Sequence, residues 1–322
     1  MKLLINTLHP ERVWNMPERY VQRIRLALPE IEIVFVKDKE QLKREIVDAD
    51  VYFGWFPGKT VLSLARDLKW VHTPQIGVGR FISSGIKDKN FILTNASGVD
   101  RRNIGEFAIS LFLSLYFGHP LIIKNYLKKR WDRTETGGFL LNRKIKPLKE
   151  MIAVVLGYGG IGKVIVEILS CMVKEVRVVK KRREILPFKV YTLDKWSEFL
   201  PDSDVVFIAV PSTDETSHFI DGEKIGAFKT PPFIINVGRG KVVNEKDLAK
   251  ALSSGKISGY GTDVCSVEPP DENFPLWGFE NVIVSPHIAA LEPRFWDKHI
   301  DFFLKNMDRF LKGGELCGIV HE

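Results

Sequence analysis

Short runs of branched apolar residues alternate along this chain with longer stretches in which apolar positions recur every three or four residues. Leu3 to Ile5, Ile31 to Val36, Val51 to Phe53, Trp70 to His72 and Ile92 to Asn95 have the length and composition of buried strands. Between them, Pro17 to Leu28, Lys39 to Asp48 and Val61 to Arg66 carry helical spacing. Strands that alternate with helices and are apolar on both faces predict an α/β fold with parallel sheets. Asn103 to roughly Lys129 reads as one long helix, apolar on most faces, as expected of a helix buried between domains or subunits. The pattern then resumes. Ile152 to Leu156, Val176 to Val179, Asp204 to Val210, Phe233 to Val237, Ile257 to Val264 and Val282 to Ser285 predict a second series of strands, closed by a helix from about Pro293 to Lys312.

A length of 322 residues accommodates two such cores, and Asn95-Ala96-Ser97-Gly98 is the first plausible hinge. No apolar run is long enough to span a bilayer, and the opening MKLLINTLHPE lacks the apolar core and cleavage site of a secretory signal, so a cytoplasmic protein with no membrane partner is expected. Cys171, Cys265 and Cys317 stand far apart and match no metal or disulfide spacing, so no metal site is expected. The net charge of +7 is modest for this length and predicts a solvated basic exterior rather than a nucleic-acid surface.

Chemistry concentrates in the second half. Ile152 to Gly162, IAVVLGYGGIG, is a strand, a glycine turn and the start of a helix, with Gly157, Gly159 and Gly162 at the spacing of a dinucleotide-binding turn. There the first glycine allows the turn, the second the approach of a pyrophosphate, and the third close packing of helix on strand. The next strand ends at Lys180, 23 positions after Gly157, near where an acid would hold the ribose 2′-hydroxyl of NAD. The chain reads Lys180-Lys181-Arg182-Arg183 instead, a cluster that would attract a 2′-phosphate, so NADP(H) is expected over NAD(H). Gln75-Ile76-Gly77-Val78-Gly79 is a small-residue loop at another strand's C-terminal end, where ligands of open α/β sheets sit.

Together with GYGGIG, the blocks INVGRGKVVNEKDL (Ile235 to Leu248), GTDVCSVEP (Gly261 to Pro269) and NVIVSPHIAA (Asn281 to Ala290) resemble the D-isomer-specific 2-hydroxyacid dehydrogenase family, in its order and spacing. The resemblance implies two Rossmann-like, doubly wound parallel-sheet domains separated by an active-site cleft. Residues 1–98 with 290–322 would form the substrate domain and 99–289 the dinucleotide-binding domain. It implies that Arg239, Glu268 and His287 are catalytic. Arg239 would clamp the substrate carboxylate or polarise the carbonyl, His287 would exchange the proton, and Glu268 would orient the imidazole and favour its charged form. It assigns Gly160 and Ile161 to the pyrophosphate, Thr216 near it, Val237 to the cofactor site, Asp263 to the nicotinamide carboxamide, and Ile76 and Gly77 to the substrate carboxylate. Lys181 and Arg183 occupy the positions of the basic residues in NADP-using relatives, and Glu106 matches a family glutamate at a helix start.

The function implied is reduction of a small 2-keto acid, glyoxylate- or hydroxypyruvate-like, by a homodimer. Two other readings stay open: a dinucleotide-sensing corepressor on the same fold, and an NAD-dependent phosphoglycerate or formate dehydrogenase-like enzyme. Phe117-Gly118 and Leu291-Glu292 depart from the family's usual residues, and Trp55, Phe56 and Trp296 suggest a substrate mouth narrowed by aromatics.

Overall fold

The computed structural model describes residues 1–84, 91–182 and 184–320. The chain divides into two compact units, Met1–Asp100 with Glu292–Glu322, and Arg101–Leu291.

The first unit holds five strands: β1 (Lys2–Asn6), β2 (Glu32–Phe35), β3 (Val51–Gly54), β4 (Trp70–Thr73) and β5 (Ile92–Asn95). All pair in parallel, in the order β2-β1-β3-β4-β5. The order reverses at β1, so the C-terminal ends of β1 and β3 flank a switch point. Leu4, Tyr52 and Val71 are fully buried on the strands, and Phe81 packs with them from the helix Gly79–Ser83. The C-terminal helix, Phe295–Leu311, completes this unit. Its Phe303 stacks on Phe53 with ring centroids 4.5 Å apart, and the Tyr20 hydroxyl donates to Asp297 at 3.0 Å.

The second unit holds β6 (Ile152–Leu156), β7 (Glu175–Val179), β8 (Lys189–Tyr191), β9 (Val205–Ile208), β10 (Phe233–Asn236), β11 (Gly259–Thr262) and β12 (Val282–Val284). They form one parallel sheet in the order β12-β11-β10-β9-β6-β7-β8, reversing at β6. Val154, Leu156, Val206, Ile208 and Ile234 are fully buried in it. At about 25 cal/mol per Å² of apolar surface removed from water, each such side chain contributes roughly 1.5 to 3 kcal/mol. One strand was not anticipated and one expectation needs correction. Strand β8 escapes the apolar pattern, because it is three residues long and only half-buried at the sheet edge. The long helix expected from Asn103 to Lys129 is two helices, Arg101–Tyr116 and His119–Leu127, bent by 70°. Gly118 takes φ +69° at the break and Pro120 opens the next helix, so neither residue can continue the first. The first helix belongs to the core, with Ala108 and Phe112 fully buried. No single helix among the described residues is long and apolar enough to cross a membrane.

Candidate active site

Parallel strands align their C-terminal ends, so the loops after β10, β11 and β12 emerge side by side. Arg239 follows β10, Glu268 lies in the loop after β11 and His287 follows β12. The imidazole Nδ1 of His287 stands 2.7 Å from Glu268 Oε2. The other carboxylate oxygen, Oε1, accepts the backbone N–H of Cys265 at 2.9 Å, which fixes the carboxylate plane. With Nδ1 donating to Glu268, Nε2 is the atom left to exchange a proton. The hydrogen bond and charge of Glu268 raise the His287 pKa above the ordinary imidazole value, against the opposing effect of burial. Burial alone would push Glu268 up, but His287, the Cys265 amide and Arg239 hold it below the usual carboxylate range. The pair is thus matched: an anion beside an imidazole that favours its charged form.

Arg239 is half-buried, and its guanidinium is drawn below its ordinary pKa by that burial while Glu268 acts in the opposite direction. Asn236 sets its backbone, donating from Nδ2 to Arg239 O at 3.0 Å and accepting the Gly238 N–H at 3.0 Å. The Arg239 side chain donates to Gly238 O at 2.6 Å.

Asp263 holds the histidine loop. Its Oδ1 accepts the Ser285 hydroxyl at 2.6 Å and the Ile288 N–H at 2.9 Å, and its Oδ2 accepts the Ala289 N–H at 2.8 Å. These bonds grip the chain on both sides of His287, which sits at φ +56°, a region that costs a non-glycine residue about 1 kcal/mol or more. A carboxylate oxygen has two acceptor positions, and among the described residues Oδ2 accepts one hydrogen bond. Sequence reasoning missed Ser285 and Asn236, whose roles rest on backbone geometry that no motif spells out.

The glycine turn follows β6 at the switch point. Gly157 takes φ +97°, and a Cβ there would stand 2.6 Å from Ala209 O; a Cβ on Gly162 would stand 1.8 Å from Gly157 O. Neither position admits a side chain. A Cβ on Gly159 would meet nothing within 4 Å, so that face is open. Gly159 caps the helix Gly160–Ser170 without a side-chain hydrogen bond, unlike Asp38, Asp221 and Asn244, whose side chains cap their helices. The first-turn amides, including those of Gly160 and Ile161, therefore have no side-chain acceptor, the condition for holding a phosphate. The residues present fit a dinucleotide.

Lys180 directly follows β7, with its Nζ 5.5 Å from the centre of the Tyr158 ring and paired with Glu184. Lys181 is exposed, 4.0 Å from Glu215. Arg183 lies outside the described residues. Val237 is buried and donates its N–H to Ile208 O at 3.1 Å. Thr216 is buried too, its hydroxyl donating to Pro211 O at 2.7 Å and accepting the Thr213 N–H at 2.8 Å, so it shapes the loop after β9. Glu106 accepts from Arg102 at 2.5 Å on the helix surface. In the first unit, Ile76 and Gly77 follow β4, and Asn95 Nδ2 pins the Ile76 carbonyl at 2.8 Å. Among the described residues, no group of three or more His, Cys, Asp or Glu side chains could hold a metal ion.

Residues 109–289 match the family model described as D-isomer specific 2-hydroxyacid dehydrogenase, NAD binding domain. The chain is 31% identical over 284 residues to a glyoxylate reductase of Thermofilum pendens, covering 85% of this chain and 82% of that one. It superposes with a TM-score of 0.83 on a D-isomer specific 2-hydroxyacid dehydrogenase family protein from Aeromonas salmonicida subsp. salmonicida A449, 26% identical and covering 99% and 98% of the two chains. An NADPH-dependent glyoxylate/hydroxypyruvate reductase from Sinorhizobium meliloti shares the fold with a TM-score of 0.82, at 23% identity over 99% and 97%. With the family model spanning more than half of its length, this chain belongs to the D-isomer-specific 2-hydroxyacid dehydrogenases, a family of NAD(P)-dependent oxidoreductases.

Proposed function

We propose that the chain reduces a small 2-keto acid, of the glyoxylate or hydroxypyruvate type, to the D-2-hydroxy acid with NADPH as reductant. The observation that carries the reading is the 2.7 Å contact between His287 and Glu268 on the strand edge that also presents Arg239. Bound nicotinamide supplies the hydride. His287, whose charged form the pairing with Glu268 favours, donates the proton from Nε2 to the carbonyl oxygen as it becomes an alkoxide. Arg239 offers a planar fork to the substrate carboxylate and polarises the carbonyl. Ile76 and Gly77 follow β4 at the sheet edge where ligands of open α/β sheets sit, which supports reading the first unit as the substrate domain and the second as the nucleotide domain. Asp263 keeps His287 in register and offers Oδ2 to the carboxamide.

NADPH is favoured by chemistry at the end of β7: cationic Lys180 and Lys181 stand where a carboxylate would repel a 2′-phosphate. The names of the Thermofilum and Sinorhizobium relatives support the substrate class. A homodimer is supported by the apolar surface around the bent helix pair, where Phe117, Ile123, Tyr126, Leu127 and Trp131 are exposed.

The test is to follow loss of NADPH absorbance with a panel of 2-keto acids, for the wild type and His287→Ala. We expect turnover with small keto acids, and a fall of roughly 10²- to 10⁴-fold in the variant with NADPH binding unchanged. Tight NADPH binding with no turnover on any keto acid would favour a dinucleotide sensor.

A further inference from the structure

The two helices nearest the glycine turn pack with almost no space between them. A Cβ on Gly105, in the helix Arg101–Tyr116, would stand 2.5 Å from Val164 Cγ1, in the helix that follows the turn. One helical turn before Gly105 comes Arg101. Its Cβ and Cδ both lie 3.5 Å from where a Cβ on Gly160 would be. Gly160 is the first residue of the glycine-motif helix. The space over it that its own side chain would fill is thus lined by the aliphatic stem of Arg101. The guanidinium lies two bonds beyond Cδ, on a stem that already touches the space over the first residue of that helix.

The charge of that guanidinium is not used elsewhere. Arg101 is exposed and makes no hydrogen bond or ion pair among the described residues. Its neighbour Arg102 behaves differently, bonding Glu106 at 2.5 Å and Glu167 at 2.8 Å. Arg102 thereby occupies an acid on each of the two helices. A free cation beside uncapped amides adds a planar fork that can take two oxygens of a diphosphate.

We infer that Arg101 is a cofactor-binding residue that clamps the diphosphate of NAD(P)H against the glycine turn. This rests on the reading of that turn as the dinucleotide site. It assigns Arg101 a different job from Lys180 and Lys181, which follow β7 and meet the 2′-phosphate. Arg101 strengthens binding of both cofactors alike, whereas the lysines choose between them.

The experiment measures dissociation constants of NADPH and NADH by titration calorimetry, and displacement of NADPH by two fragments. ADP carries the diphosphate without a 2′-phosphate, and 2′-AMP the reverse. Arg101→Ala is expected to weaken NADPH, NADH and ADP by about tenfold each, the effect of one charge-assisted contact at an exposed site. Binding of 2′-AMP and the unfolding temperature should not change, and Arg101→Lys should recover part of the loss. Lys181→Ala should show the complementary pattern, weakening NADPH and 2′-AMP alone. Unchanged NADPH and ADP binding in a folded Arg101→Ala protein overturns the inference. So does a loss confined to NADPH and 2′-AMP, which would place Arg101 with the lysines. Failure of the wild type to bind either cofactor would overturn the dinucleotide reading itself, and it is recognised before any variant is made.

Discussion

His72 gives the first unit a built-in sensitivity to acid. The side chain lies on β4 with no exposed surface, among the rings of Phe53, Trp70, Phe302 and Phe303. Nδ1 is 2.8 Å from Thr94 Oγ1, and Nε2 has no hydrogen-bond partner among the described residues. Burial, with a further contribution from the charge of His299, drives the His72 pKa from 6.5 to about 3. The unfolded chain therefore takes up a proton here well before the folded one does. Stability is fully present above the unfolded value and is lost as pH falls from about 6.5 toward about 3. Between about pH 7 and pH 5 the linkage amounts to about 2 kcal/mol, and over the whole window to about 5. His72→Phe keeps a flat ring in an aromatic setting and removes the titration. Urea unfolding at a series of pH values, read by tryptophan fluorescence, supplies the comparison, since Trp14, Trp55, Trp70 and Trp296 all belong to this unit. The variant should lose about 2 kcal/mol less than the wild type between about pH 7 and pH 5. Parallel pH dependences would refute the assignment of this sensitivity to His72.

Keto-acid reduction should decline as pH rises through the elevated pKa of His287, because the donor must be protonated; Glu268→Gln, which removes the carboxylate that raises it, should move the decline to lower pH in rate profiles of kcat/KM. Lys180→Asp combined with Lys181→Ala should shift the ratio of kcat/KM from NADPH toward NADH by at least tenfold, through repulsion added and attraction deleted; an unchanged ratio would reduce the basic segment to a solvated charge run. Tyr126→Asp with Leu127→Asp should yield a monomer by light scattering if the exposed face of the bent helices is the dimer contact, and a wild type that is already monomeric would remove that reading.

What could be read from the sequence was set by local rules. The glycine turn is legible because steric demands at Gly157 and Gly162 permit one residue type, so geometry and spelling coincide. The strand ends bearing Arg239, Glu268 and His287 are legible because parallel strands buried on both faces need unbroken apolar runs, and the chemistry begins where those runs stop. Edge strand β8 has no such need, and its Lys189-Val190-Tyr191 looks like a loop. The break at Gly118 was hidden by apolar residues on both sides of it, since periodicity carries on across a 70° bend. Arg101 was invisible for a different reason: its position over Gly160 depends on how two helices some sixty residues apart pack, and spacing along one segment holds no trace of that. Asp263 was recognised, but its grip on Ser285, Ile288 and Ala289 follows from the adjacency of β11 and β12.

Asn103, near the start of the second unit, donates from Nδ2 to the carbonyls of Ala289 at 2.7 Å and Leu291 at 3.1 Å, near that unit's end. One amide side chain spans entry and exit, so the inserted module begins and finishes at the same spot. A module with adjoining ends can be lifted out of its host and joined to another without restringing either. Grafting Arg101–Leu291 between related chains would then carry the glycine turn, Lys180 and Lys181, Arg239 and the His287–Glu268 pair together as one heritable cassette.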